Sequence, residues 1–269
     1  MGESFQLTDE NYYTPEANRI YMSVSQYKDF AGTYGRRACE AAALAKLNGE
    51  WYEPPSTAMM IGSYVDRYFE GTLETFRQEN PDIFTRTGEL KAGFKQVEKI
   101  IERATSDKLF AKYMSGEKQV IETGELFGTP WKIKIDSYLP GVAIVDLKVM
   151  KSLTQLNWVK DLGYLDFVRY WGYDIQGAIY QEIDYQNTGV RKPFYIAGIS
   201  KEEEPNIEII HVQDVYLREA LENVRQNIGR VLDVKFGREE PERCESCNYC
   251  RHTKVLKHPI TIADIQQVL

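Results

Sequence analysis

The stretch WKIKIDSYLPGVAIVDLKVMK, residues 131–151, is where the fold is decided. From Trp131 to Asp136 apolar and polar residues alternate, the period of a strand with one buried face. Pro140-Gly141 marks a turn. Val142 to Val149 is almost continuously apolar and rich in β-branched residues, which predicts a central strand covered on both faces. Two charges interrupt it, Asp146 and Lys148. Their spacing puts both on one face and Leu147 on the other. Burying charge in a central strand is costly unless the charge is paired or holds a metal. Lys132, Lys134 and Asp136 share a face of the first strand, and a hairpin through the turn brings Asp136 near Asp146. Two carboxylates repel each other; a divalent cation between them removes the repulsion, and oxygen donors suit Mg²⁺ or Mn²⁺. A lysine two residues on can steady an attacking water or a developing charge.

Asp-x-Lys alone is common at the solvated ends of strands, and short motifs have many false positives. What lifts it here is the acid on the neighbouring strand. With both in place, Asp136 and Asp146-Leu147-Lys148 resemble the D…(D/E)xK core of the PD-(D/E)xK nuclease superfamily. The resemblance implies an α/β (α+β) fold: a restriction-endonuclease-like core, with a central mixed sheet flanked by helices.

Outward from this centre, Gln119 to Phe127 alternates as a further strand, with Glu122 and Glu125 as solubilising acids on a sheet edge. Lys91 to Ala104 is a helix after a turn at Gly88. Thr57 to Gln78 reads as one long helix, on which Gly62 and Asp66 share a face. A glycine there lets another backbone or a substrate come close. Arg36 to Asn48 is an alanine-rich helix ended by Gly49, with Cys39 in its first turn. Ser23 or Ser25 caps a helix through Tyr27 and Phe30. Residues 1–20 are polar and turn-rich, a loosely held arm. On the other side, Leu162 to Tyr185 reads as a helix. Its apolar stripe is Val168, Ile175, Ile179 and Ile183, and Arg169, Tyr173, Gln176 and Tyr180 lie on a different face. Pro193 to Ser200 and Ile207 to Val212 are strands. Asp214 starts a final long helix to about Phe236.

Two of these helices extend the resemblance. G-S-Y-V-D at 62–66 looks like the acidic version of the G-x-x-x-H helix motif of the RecB-like branch. Q-G-A-I-Y at 176–180 resembles the Q-x-x-x-Y motif that follows the catalytic lysine there. By that resemblance Asp66, Asp136 and Asp146 bind Mg²⁺, and Lys148 orients water or stabilises charge. Gln176 holds the active-site end of the substrate strand, with Tyr180 packed against it.

The chain has four cysteines, Cys39, Cys244, Cys247 and Cys250, three of them in C-E-S-C-N-Y-C. Three thiols within a compact loop suit one metal centre, and a closed site needs a fourth ligand. One N-terminal and three C-terminal cysteines resemble the iron–sulfur staple of AddB-type and related CRISPR-associated nucleases. The candidates are a [4Fe–4S] cluster on the four cysteines, Zn²⁺ on the three C-terminal ones with Cys39, His252 or His258, or reduced thiols without a metal.

Composition bounds the rest. The 269 residues are 43% hydrophobic and 12% aromatic, enough for a real core in one domain over residues 1–269, with a cysteine loop at 244–250. The net charge of −7 argues against a generic nucleic-acid coat but leaves room for a locally basic channel. No apolar run approaches the roughly 18 residues of a membrane span. No secretory signal is visible, so a cytoplasmic location and no membrane partner are expected. The motifs together resemble phage recombination exonucleases of the RecE and λ-exonuclease type. That resemblance implies a DNA exonuclease acting 5′→3′ at duplex ends, a ring-forming homo-oligomer, and a single-strand annealing protein as partner. The alternatives are a CRISPR-adaptation-type nuclease that trims single-stranded ends, and an inactive nuclease-fold DNA-binding module.

Overall fold

The computed structural model describes residues 5–256 and 258–262. Its N-terminal part is helical. α1 (Pro15–Ile20) starts with Thr14 accepting from the Ala17 N–H. α2 (Val24–Ala31) is capped by Ser23 and stops at Gly32, as its sequence predicts. The described part of the arm, from residue 5 on, is held in place. Tyr12 is buried, and Met22 and Trp131 form a parallel bridge that ties the arm to the central strands.

α3 (Glu40–Leu47) is shorter than the predicted 36–48 helix, and Cys39 is its cap residue rather than part of its first turn. Residues 36–39 are held in another conformation, because Arg36 pairs with Thr33 in a bridge and with Asp29 through an ion pair. The predicted helix 57–78 is two helices, α4 (Thr57–Glu70) and α5 (Leu73–Glu79). Gly71 divides them: its φ of 80° is left-handed and closes α4 by donating to the Arg67 and Tyr68 carbonyls. α6 (Gln96–Ser106) begins after a short 3₁₀ turn at Ala92–Phe94, and Asp107 caps α7 (Lys108–Tyr113).

The central stretch forms two pairings where the sequence suggests one hairpin. β1 (Val120–Leu126) pairs antiparallel with β2 (Thr129–Ile135), and only the three residues of β3 (Ser137–Leu139) pair with β4 (Ala143–Met150). Asp136 is the hinge between the two. After β4 a small hairpin, β5 (Asn157–Val159) with β6 (Gly163–Leu165), stands where the sequence suggests the start of a helix. Positive φ at Asp161 and Gly163 turns the chain there. The helix itself is broken at Gly172, φ 65°, into α8 (Phe167–Tyr170) and α9 (Tyr173–Thr188). β7 (Phe194–Ser200) lies parallel to β4, and β8 (Ile207–Val212) is antiparallel to β7. The result is a mixed sheet in the order β3-β4-β7-β8. α10 (Asp214–Lys235) and the short α11 (Asn248–His252) complete the described chain.

β4 is central and covered on both faces, as its apolar run predicts. One face carries Ile144 into a core with α2, α9 and α10, including Phe30, Ile179, Ile183 and Val224. The other carries Ala143, Val145 and Leu147 against α4 to α7, including Val65, Phe76, Ile100 and Phe110. This is a mixed α/β fold with helices on both sides of the sheet. Strand alternation then places Asp146 and Lys148 on the Ile144 face, where α9 arrives. Among the described residues no helix is long and apolar enough to cross a membrane.

Candidate functional site

Asp146 is nearly fully buried on β4. Its Oδ1 accepts from Gln176 Nε2 on α9 at 2.6 Å. Its Oδ2 lies against the Lys148 ammonium, yet makes no hydrogen bond of ordinary geometry. Asp136 reaches the same place from the hinge. Its Oδ2 accepts from the Leu147 N–H at 2.8 Å. That N–H is free because β3 begins opposite Val145 and β2 has already diverged toward β1. The kink that splits the predicted hairpin is therefore what delivers the second carboxylate.

Asp66 comes from α4, across the sheet edge, into the same cleft of about 480 Å³. Gly62 does not bring any part of the protein close, since a Cβ there would meet nothing within 4 Å. Burial first, then the charges of Asp146 and Asp66, hold the Asp136 carboxyl well above the usual carboxylate range. Burial pushes Asp66 up to about 7; Lys148 opposes the rise and Asp146 adds to it. Burial works against the Lys148 charge, but Asp146 and Asp136 outweigh it and keep the ammonium protonated. Three converging carboxylates, Asp146 buried and Asp66 and Asp136 half-buried, beside one lysine form the oxygen-rich, negatively charged donor set that suits Mg²⁺ or Mn²⁺.

Sequence reasoning brings together Asp66, Asp136, Asp146, Lys148, Gln176 and Tyr180, and the structure places all six on this cleft. Two have specific tasks in it. The Gln176 amide is directed at Asp146, and the Tyr180 hydroxyl donates to the Lys134 carbonyl at 3.0 Å, tying α9 to β2. The other cleft residues have no site role in the sequence reading, although Lys132 and Lys134 share a strand face with Asp136 there. Lys28, at the end of α2, donates to the Trp171 and Gly172 carbonyls at 3.2 and 3.5 Å. The Tyr173 ring lies between Lys28 and Lys148, with each ammonium 5.0 Å from its centre. Burial, then Lys148 and Arg36, lowers Lys28 to about 8. Lys132 is buried beneath the N-terminal arm: its ammonium donates to the Tyr12 carbonyl and to Asn18 Oδ1. Lys134 pairs with Asp9 at 3.1 Å. A helix-terminal lysine and two strand lysines are ordinary solvated residues in a sequence; only the arm and the α8–α9 turn make them part of a cleft.

The cysteines form a second cluster, in a small buried group with Ala41. All four sulfurs lie within 4.8 Å of one another. Cys39 Sγ is 3.5 Å from Cys250 and 3.7 Å from Cys247, and Cys244 is 4.0 Å from Cys250. No disulfide joins them. Cys39 is thus the fourth member. His252 instead stacks on Trp51, ring centres 5.3 Å apart, and His258 meets the Pro259 carbonyl at 3.1 Å. Burial alone would raise Cys244, but donors from Ser246 and the Cys247 N–H outweigh it and lower the thiol to about 6. Burial and neighbouring thiols push Cys247 up to about 12. Thiolates at about 2.3 Å from one tetrahedral ion are about 3.8 Å apart along each edge. The observed spacing fits that tetrahedron. A four-iron cluster puts each thiolate on a different iron and holds the four farther apart.

The family described as PDDEXK-like domain of unknown function (DUF3799) matches residues 23–253. A crystal structure of a protein from Eubacterium rectale, named "putative exonuclease", is 64% identical, with a TM-score of 0.96 over 99% of this chain and 100% of that one. No curated protein matches.

Proposed function

The chain belongs to the PDDEXK-like family DUF3799, and from that premise we propose that it is a divalent-metal-dependent exonuclease that hydrolyses phosphodiester bonds at DNA ends. The observation that carries this reading is the convergence of Asp66, Asp136 and Asp146 beside Lys148 in one cleft. The name of the Eubacterium rectale protein supports exonuclease over endonuclease action. Asp66, Asp136 and Asp146 would hold Mg²⁺, which when bound supplies Lewis-acid polarisation of a phosphate oxygen and a water of lowered pKa. The protein's own groups do the rest. Gln176 fixes the Asp146 carboxylate, and the Leu147 N–H fixes that of Asp136. Lys148 keeps its proton and sets a positive charge where negative charge grows on the phosphate or on the attacking water. The intact acid and lysine set favours catalysis over an inactive binding module.

Polarity 5′→3′, a ring-shaped homo-oligomer and a single-strand annealing partner in phage-type recombination belong to the same proposal, on the resemblance of the motifs alone. At the cysteines, the sulfur spacing favours Zn²⁺ over a [4Fe–4S] cluster. The test is digestion of linear duplex carrying 5′ or 3′ labels, with and without Mg²⁺. Early release of the 5′ label, dependent on Mg²⁺ and abolished in Asp146→Ala, is expected. Protein that leaves both labels in full-length strands at every Mg²⁺ concentration overturns the reading.

A further inference from the structure

The β5–β6 hairpin exposes two large rings. Trp158 is 65% exposed and Tyr164 66%, with Leu156 and Leu162 exposed beside them. Trp158 and Tyr164 are direct cross-strand partners, and their rings meet edge to face at 5.2 Å. The hairpin is tightly made: Asp161 and Gly163 have φ of 67° and 79°, and Leu162 N–H donates to the Val159 carbonyl at 3.2 Å. A rigid turn thus holds a ring pair out in water, where it contributes nothing to either core.

Where the hairpin is rooted gives it meaning. The chain leaves β4 at Met150 and returns at Phe167, and both ends touch Tyr173. The Tyr173 hydroxyl meets Met150 Sδ at 3.5 Å, and the Phe167 and Tyr173 rings are 6.2 Å apart. The same Tyr173 ring lies 5.0 Å from the Lys148 ammonium. The excursion therefore starts and ends one side chain away from the acid–lysine site.

We propose that Trp158 and Tyr164 form a stacking platform for unpaired bases of the DNA strand whose backbone lies in the cleft. This rests on the nuclease reading above. A base needs only a ring face to stack on, and an exposed aromatic supplies one without sequence preference. A second copy of this chain is the poorer occupant. Two aromatic side chains offer about 300–500 Å², whereas a stable interface buries about 800 Å² on each partner. The rooting of the hairpin on Tyr173, next to Lys148, favours a strand whose backbone enters the acid–lysine site.

The experiment compares two probes without divalent cation: a single-stranded DNA oligonucleotide, and an abasic strand of equal length with the same phosphates. In the Trp158→Ala/Tyr164→Ala double variant, affinity for the base-bearing strand is expected to fall about tenfold or more, while affinity for the abasic strand stays at the wild-type value. Trp158→Phe keeps a ring and is expected to keep the affinity, while losing the quenching of tryptophan emission that the base-bearing strand causes in the wild type. That second variant serves even if the double variant melts early. Equal loss on both probes, or no loss on either, overturns the platform. So does a double variant that binds DNA normally but sediments as a smaller species than the wild type, which assigns the rings to a second copy. Wild-type protein that digests labelled duplex yet binds both probes equally overturns the platform alone. Wild-type protein that neither digests nor binds DNA overturns the nuclease reading, and the platform with it.

Discussion

Asp146 and Lys148 depend on each other. Asp146 is 2% exposed on a strand with apolar neighbours, and Lys148 is the cation against its Oδ2. Removing one partner of a buried ion pair costs about 3–5 kcal/mol, because the other is left charged and unsolvated. Lys148→Ala is therefore expected to lose cleavage by about 100-fold or more, and to melt lower than wild type without metal. Mg²⁺ should restore part of that melting temperature by taking the ammonium's place beside the carboxylates. A calorimetric Mg²⁺ titration checks this, and a variant whose melting ignores Mg²⁺ would speak against the three acids as ligands. Asp66→Asn should keep the fold but need more Mg²⁺ for half-maximal cleavage; superimposable titrations would leave Asp66 out of the site. Glu122 behaves otherwise than its edge position suggests. Its Oε2 is buried without a hydrogen-bond partner, and burial, then the charge of Asp184, pushes the carboxyl from 4.5 up to about 7. A raised folded-state pKa means this group's contribution is fully present below the unfolded value and is lost as pH rises through about 7. Glu122→Gln is expected to be more stable than wild type near pH 8 by about 1 kcal/mol, a figure kept small because the half-exposed side chain is screened by water. Near pH 5 the gain should vanish. Urea unfolding at the two pH values makes the comparison.

Elements show which parts of the fold the residues spell out locally. The five strands read from the sequence form where their patterns lie: β1, β2, β4, β7 and β8 match their predicted spans to within two residues, and side chains along each alternate between faces with a period of two. The Asp146–Lys148 face follows from that period alone. Helix breaks are not legible in the same way, because propensity summed over a window does not register a single left-handed residue. Gly71 and Gly172 each split one predicted helix into two. The hairpin at 157–165 is masked by helix-compatible residues that follow it. The pairing partner of β2 was also beyond reach, since it depends on the chain kinking at Asp136. Gly172 makes the sharpest case. A Cβ there would sit 3.1 Å from Lys28 Cδ and from Thr33 Cγ2, and a non-glycine residue in that conformation costs about 1–2 kcal/mol. The Gly172 carbonyl also receives the Lys28 ammonium. Gly172→Ala is expected to destabilise the protein by about 1–3 kcal/mol. Unchanged denaturant midpoints would show that the α8–α9 turn tolerates a side chain and that its geometry is not set by the glycine.

At the scale of the whole molecule, the cysteine cluster joins the first helices to the last. Cys39 precedes α3, and the other three follow α10, so ligation closes most of the chain into one loop. Treated like a disulfide, closing a loop that long restricts the unfolded chain by about 4–5 kcal/mol. That is comparable with a domain's whole net stability of about 5–15 kcal/mol. The cluster is not the sole tie. Glu40 pairs with Arg230 on α10 at 2.6 Å, and Ala41 N–H donates to the Glu242 carbonyl at 3.0 Å. These polar contacts lie at the surface, where an ion pair contributes about 0–1 kcal/mol, so they cannot replace the closure. Cys39→Ser is accordingly expected to lower both bound metal and melting temperature, whereas Arg230→Ala should lower the melting temperature by much less and leave the metal in place. If the proposed zinc is the metal, protein prepared under anaerobic conditions is expected to be colourless and to contain one zinc per chain. A brown preparation with iron and sulfide would replace zinc by a cluster while keeping the clamp. Metal-free protein that melts unchanged in Cys39→Ser would remove the clamp altogether, and would leave the Glu40–Arg230 contacts to hold α3 against α10.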